Sequence, residues 1–154
     1  MSDFDPGPDA AVTLREVTAE TFPDVIDLSV SEAQKRFVAP NVYSLAQAYV
    51  NPEAWVRAIY AGETAVGFLM LADEPEVPEY FLWRFMIDER YQGRGYGRRA
   101  AELLIDYVRT RPDATELLVS YEQGDGGPEP FYRGLGFEPT GEVIDGEMVA
   151  SLAL

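Results

Sequence analysis

Three glycines, Gly93, Gly95 and Gly97, alternate with Arg94 and Tyr96 and are followed by Arg98 and Arg99. Glycine lets backbone N–H groups turn toward a ligand that a Cβ would hold away. The apolar run Tyr80 to Ile87 precedes the loop and a helical pattern follows it. The unpaired amides of that helix's first turn therefore join the same concavity. Arg98 and Arg99 fall in the first turn, where the macrodipole disfavours cations; a bound phosphate removes the conflict. From Arg84 to Arg99 there are five arginines against two acids, a local charge of +3 in a chain of net charge −15. The chemistry implied is a polyphosphate cradle inside an acidic protein.

Other chemistries are excluded by what is missing. The chain has no cysteine and no histidine, which removes disulfides, Cys/His zinc sites, thiol nucleophiles and Ser-His-Asp catalysis. Acid–base work must fall to Tyr, Asp, Glu, Lys, a terminal amine or water, and no metal is expected. Gly97 is followed by Arg98-Arg99 rather than Lys-Ser/Thr, so the loop is no P-loop. A dinucleotide fingerprint needs a glycine three residues after its second and belongs at the first strand of a βαβ unit. Here Gly97 follows Gly95 by two residues, and the loop lies past the middle of the chain.

The elements that must position this loop can be read from periodicity. The 154 residues suit one domain, spanning residues 11–154, with a flexible Pro/Gly/Asp-rich segment over residues 1–10. Ala11 to Val17 alternates as a strand, and Thr21 opens a helix with Phe22, Val25 and Ile26 on its apolar face. Ser44 is positioned to cap a second helix that stops before Asn51-Pro52. Strands over Ala54 to Tyr60 and Thr64 to Ala72 are joined by Ala61-Gly62-Glu63. Asp73, Glu74, Glu76 and Glu79 crowd a loop, and Tyr80 to Ile87 reads as a central strand interrupted by Arg84. Two readings of Arg84 are open: a partner for one of these acids, or a group that approaches the ligand. The helix after the glycine loop presents Ala100, Leu103, Leu104, Tyr107 and Val108 on one face. A strand over Leu117 to Tyr121, a helix over Glu129 to Leu135 and a hairpin about Asp145-Gly146 complete the chain. The class is α/β: a mixed, mostly antiparallel central sheet of about six to seven strands flanked by about four helices.

Gln92-Gly93-Arg94-Gly95-Tyr96-Gly97 resembles the Gln/Arg-x-x-Gly-x-Gly/Ala signature of the GNAT superfamily of N-acetyltransferases. Phe131-Tyr132-Arg133-Gly134-Leu135-Gly136-Phe137 is similar to the superfamily's later Phe-Tyr-x-x-x-Gly-Phe segment. A narrower likeness, to bacterial diamine and spermidine acetyltransferases, lies in Ser31 to Gln34, Phe37 to Asn41 and Ser44 to Ala48. The resemblance implies acetyl-CoA as cosubstrate. The amides of Gly93 to Gly97 would hold its pyrophosphate, with Gln92 and Tyr96 part of the signature, and Arg94, Arg98 and Arg99 would pair with its phosphates. Phe85, Met86 and Ile87 would offer backbone groups to the pantetheine arm and the thioester oxygen. Tyr132 matches the family's general-acid tyrosine. A phenol near pKa 10 and a thiol near 8.5 make direct transfer uphill by about 2 kcal/mol. Either the site lowers the phenol's pKa, or Tyr132 hydrogen-bonds the sulfur. Gly124 to Gly127 stand where many relatives carry an asparagine that helps hold CoA.

The nucleophile must be a neutral amine, so a base or water chain must take a proton from an ammonium that titrates near 10. By the resemblance Glu32 is the first choice, as base or as the partner of a second ammonium. Without cysteine, transfer must be direct, in a ternary complex. The expected acceptor is a small cationic amine: a polyamine such as spermidine or a diamine. The alternatives are an aminoglycoside, an amino acid or a protein N-terminus, and a non-catalytic acetyl-CoA sensor. The acidity argues against nucleic acid. No apolar run is long enough for a membrane span, and the first ten residues lack a signal pattern, so a cytoplasmic protein is expected. A homodimer is compatible with the aromatic C-terminal half.

Overall fold

Seven strand segments, some alternating and the central ones nearly continuous in apolar residues, build one sheet, ordered β1-β2-β3-β4-β5-β7-β6. The computed structural model describes residues 5–154. The strands are β1 (Val12–Arg15), β2 (Ala54–Ala61), β3 (Thr64–Glu74), β4 (Glu79–Ile87), β5 (Glu116–Tyr121), β6 (Glu138–Ile144) and β7 (Glu147–Ala153). The helices are α1 (Phe22–Asp27), α2 (Asn41–Val50), α3 (Tyr96–Arg109) and α4 (Glu129–Leu135). Every neighbouring pair is antiparallel except β4 and β5, whose parallel relation needs the crossover that α3 supplies. The hairpin between β6 and β7 turns through Asp145 (φ 50°) and Gly146 (φ 80°), the left-handed pair such a turn demands.

Each face of the sheet has its own core. On one side Ile59, Leu69, Leu71, Leu82, Leu117 and Val119 pack against Ala100, Leu104 and Val108 of α3. On the other, Ala58, Tyr60, Phe68, Met70 and Met86 pack against Val25 of α1 and Leu45 and Ala48 of α2. The strands between them are buried on both faces, which is why their sequence is nearly continuous in apolar residues.

Three local expectations differ from the structure. Helix α2 begins at Asn41, not at a Ser44 cap. Buried Asn41 donates from Nδ2 to the Val25 carbonyl at 2.9 Å, tying α2 to α1, and Ser44 is buried inside the helix. Leu103 is 37 % exposed, while Ala101 and Ile105 turn inward, so the buried face of α3 is rotated from the one expected. The acid-rich loop is shorter than expected, because β3 runs on to Glu74 and β4 starts at Glu79. Asp73 is thereby fixed by the Tyr107 hydroxyl at 2.6 Å and the Arg111 Nε at 3.0 Å. Burial, together with this carboxylate, pushes the Tyr107 phenol up to about 12.

The segment expected to be flexible bonds to the rest of the chain where it is described. Its first four residues lie outside the described residues. Over residues 5–10, backbone carbonyls accept from the glycine loop and α3: Pro6 and Gly7 from the Tyr96 hydroxyl, at 2.8 and 2.6 Å, and Pro8 and Ala10 from Arg99, at 2.7 and 2.9 Å.

Candidate active site

The parallel pair at the centre is the origin of the site. Strands β4 and β5 pair only at Phe81 with Leu118 and Leu82 with Val119. Beyond Leu82 they part, and a register shift between Met70 and Leu71 of β3 falls opposite the same stretch of β4. The β5-facing edge of β4 is left without a strand partner from Trp83 onward. A cavity of about 570 Å³ fills the gap. Trp83 to Ile87 form one wall, Ser120 and Tyr121 the other, and Phe131 and Tyr132 of α4 close one side.

At one end of the cavity stand Gln92, Gly93, Gly95, Tyr96, Gly97 and Arg98. Gly95, at φ 83°, is the left-handed residue that starts α3 with no side-chain cap and no acid in the first turn. The amides of Gly95 to Arg98 find no protein acceptor among the described residues. A Cβ at Gly93 or Gly95 would meet no neighbour within 4 Å but would force a side chain into φ near +80°. Open space and orphaned amides at a helix N-terminus fit a polyphosphate. Buried Tyr96 fixes the loop from behind through its hydroxyl. Gln92 donates to the Ile87 carbonyl at 2.9 Å and exchanges amide bonds with Gln34, joining the loop, β4 and the 3₁₀ segment Glu32–Phe37.

The arginines divide. Arg98 lines the cavity, held loosely by the Gly134 carbonyl at 3.3 Å and Glu102 at 3.7 Å. Arg94 and Arg99, expected on the phosphates, do not line it. Arg94 is bound by Asp5 at 2.6 Å and by the Pro6 carbonyl, and Arg99 by Pro8 and Ala10. Most of their bonds go to residues 5–10, a contact that no local pattern announces, and the rest to the carbonyls of Arg90, Arg94 and Gly95.

Tyr132 lines the cavity, 6 % exposed, among the rings of Tyr121, Phe131 and Phe137 at 5.5–5.7 Å between centroids. Its hydroxyl makes no hydrogen bond among the described residues. Burial, reinforced by the charges of Glu147 and Tyr121, pushes its pKa up. Of the two expectations for this phenol, a lowered pKa is the one the surroundings oppose.

Glu32 requires a correction. The 3₁₀ segment has about three residues per turn, which puts Gln34 and Phe37 on its inner side and Glu32 and Lys35 on its outer side. The Glu32 carboxylate is 88 % exposed, bonded to Lys35 at 2.7 Å, and does not line the cavity. Phe85, Met86 and Ile87 line it.

Three side chains enter that sequence reasoning missed or left open. Tyr121 donates to Glu129 at 2.9 Å, and Ser120 to Glu147 at 2.8 Å. Alternation on β5 could have pointed to one of them but not to its partner. Arg84, with its two open readings, faces the cavity and forms no ion pair among the described residues.

The molecule is similar to known proteins at each level. A Bacillus subtilis protein named spermine/spermidine N(1)-acetyltransferase is 29% identical over 150 residues, covering 90% of this chain and 96% of its own. A GNAT-family acetyltransferase of Elizabethkingia anophelis, solved with acetyl-CoA bound, superposes with a TM-score of 0.67 at 12% identity over 93% of this chain and 98% of its own. A PaiA N-acetyltransferase of Thermoplasma acidophilum, solved with coenzyme A, gives 0.64 at 14% over 94% and 99%. These two show the likeness of fold. The family model for the acetyltransferase (GNAT) family matches residues 14–137, from β1 through α4, and the chain belongs to that family.

Proposed function

We propose that the chain moves an acetyl group from acetyl-CoA directly to a primary amine of a small cationic molecule. The observation that carries this reading is the cavity itself, with orphaned amides of α3 and Arg98 at one end and Tyr132 at its wall. The amides of Gly95 to Arg98 would hold the pyrophosphate, and Arg98 would pair with a phosphate. The open edge of β4 from Trp83 to Ile87 would hold the pantetheine arm and donate to the thioester oxygen. Acetyl-CoA, when bound, supplies an activated acetyl thioester.

In the transfer, the acceptor nitrogen bonds the acetyl carbon, and the carbon–sulfur bond breaks with its electron pair on sulfur. The nitrogen gives up one proton and the sulfur takes one. We assign the amine's proton to water, since Glu32 lies outside the cavity and no carboxylate lines it among the described residues. Tyr132, its pKa raised, acts by hydrogen bonding to the departing sulfur more than by full proton transfer.

A polyamine such as spermidine, or a diamine, is the first acceptor to try, supported by the name of the Bacillus subtilis relative and by the chain's net charge of −15. No helix among the described residues is long and apolar enough to cross a membrane, and a cytoplasmic setting suits such an acceptor. The test is coenzyme A release from acetyl-CoA with spermidine, spermine, putrescine, an aminoglycoside, amino acids and a peptide. Saturable turnover with an amine supports the reading. Tight acetyl-CoA binding without turnover of any amine overturns it in favour of a sensor.

A further inference from the structure

Arginine is rarely left without a partner, and in this chain the exceptions have explanations save one. Three arginines form no ion pair among the described residues: Arg57, Arg84 and Arg99. Arg57 lies over the Trp55 ring, 4.1 Å from its centroid. Arg99 is committed to the carbonyls of Pro8 and Ala10. Arg84 has neither excuse. Its Nη1 donates to the Trp83 carbonyl at 3.0 Å and its Nη2 to the Gln47 amide oxygen of α2 at 3.2 Å. Its Nε is buried and unsatisfied. Two of the five N–H donors of the guanidinium are therefore used, both on neutral acceptors.

This side chain lines the cavity on the α1/α2 side of the sheet, where Val30, Phe37, Val38 and Trp83 supply an apolar wall. A partly buried guanidinium with unused donors is costly without an anion, and a carboxylate matches its fork with two parallel bonds. A fully cationic polyamine finds the opposite of what it needs there: a positive charge and no carboxylate in the lining. We infer that Arg84 is a specificity-determining residue that receives a carboxylate of the acceptor, so that the acceptor is a short aliphatic amine bearing a carboxylate, such as a diamino acid. The acetyl transfer itself is unchanged. This inference rests on the N-acetyltransferase reading and narrows its acceptor away from spermidine.

The experiment uses pairs that differ by one carboxylate: L-ornithine against putrescine, and L-lysine against cadaverine. kcat/KM is measured with acetyl-CoA, and binding to the coenzyme A complex by calorimetry. The wild-type protein should prefer the amino acid of each pair by about tenfold or more, as a charge-assisted bidentate contact provides. Arg84→Gln should erase that preference while sparing the decarboxylated amine, and Arg84→Lys should restore part of it. Equal or greater turnover of putrescine and cadaverine by the wild type overturns the inference, as does an Arg84→Gln loss that is equal for both members of a pair. If no amine turns over, the N-acetyltransferase reading fails, and calorimetry still decides the subsite. Ornithine bound more tightly than putrescine, with the difference lost in Arg84→Gln, upholds it; equal binding ends it.

Discussion

Tyr132 and Arg98 are the two side chains whose surroundings make the sharpest claims. Tyr132 is enclosed by three aromatic rings, and its phenol is held above its ordinary pKa. A phenol so placed stays protonated through the working range and, in the transfer proposed above, would donate to a sulfur that builds charge. Tyr132→Phe should lower kcat by about 10- to 100-fold, the worth of a hydrogen bond to a charged group, and leave the KM for acetyl-CoA within about twofold. The sign of the shift adds a pH test. No fall of kcat assignable to this tyrosine should appear below about pH 10, since its protonated form is favoured beyond the free phenol's value. A basic limb near pH 8 to 9 that vanishes in Tyr132→Phe would refute that role. Arg98 is the one loop arginine on the cavity, so Arg98→Ala should raise the KM for acetyl-CoA by about tenfold or more and spare kcat. Steady-state kinetics varying acetyl-CoA at saturating amine separates the two effects.

At the scale of elements, the glycine loop is held from two sides. Residues 5–10 take the Tyr96 hydroxyl and the guanidinia of Arg94 and Arg99. On the other side buried Asp88, at the end of β4, accepts from the Ser29 and Arg90 amides at 2.9 Å and from the Arg90 guanidinium. Removing residues 1–8 should raise the KM for acetyl-CoA several-fold with kcat little changed, and lower the thermal midpoint by a few degrees, since about 1 kcal/mol is worth roughly 2–8 °C. An unchanged KM in a folded deletion would mean that the strap does not position the loop. For Asp88, burial alone would raise the carboxyl's pKa, but the bonds from Arg90 and Ser29 outweigh it and hold it below the usual value. A depressed carboxylate stabilises the fold above its unfolded pKa, near 4, and that contribution is lost as pH falls through the lower folded value. Asp88→Asn should therefore cost about 1–3 kcal/mol at pH 7 and less as the pH drops below about 4, read from urea unfolding across pH. The same elements show what the sequence could reveal. Period-two and period-3.6 patterning exposed the strands and α3, and glycine spacing exposed the loop, because these signals are local. The loss of Arg94 and Arg99 to the strap, the outward turn of Glu32 and the partner of Ser120 depend on contacts 27 to 91 residues apart or on the phase of a short 3₁₀ segment. Eight residues separate Tyr121 from Glu129, but a turn and a new helix lie between them.

Over the whole molecule, charge pulls the two substrates in opposite directions. A net charge of −15 sets up a field that draws in cations and opposes a polyanion such as acetyl-CoA, which in the proposed binding mode would meet Arg98 and the α3 amides at short range. Most arginines near the loop are already neutralised, Arg90 by Asp88, Arg94 by Asp5 and Arg98 partly by Glu102. The surviving local attraction is therefore backbone, the Arg98 guanidinium and the unpaired charges of Arg84 and Arg99, while the repulsion is long-ranged and screened by salt over about 10 Å at 0.1 M. Raising sodium chloride from about 0.02 to 0.3 M should lower kcat/KM for a dication such as putrescine several-fold and change that for acetyl-CoA little or upward. Ornithine, carrying one net positive charge instead of two, should show about half the salt slope of putrescine in a logarithmic plot, since the long-range term scales with acceptor charge. Equal slopes for the two amines would assign the salt effect to protein stability or to acetyl-CoA binding, and the acidic surface would then owe nothing to acceptor capture.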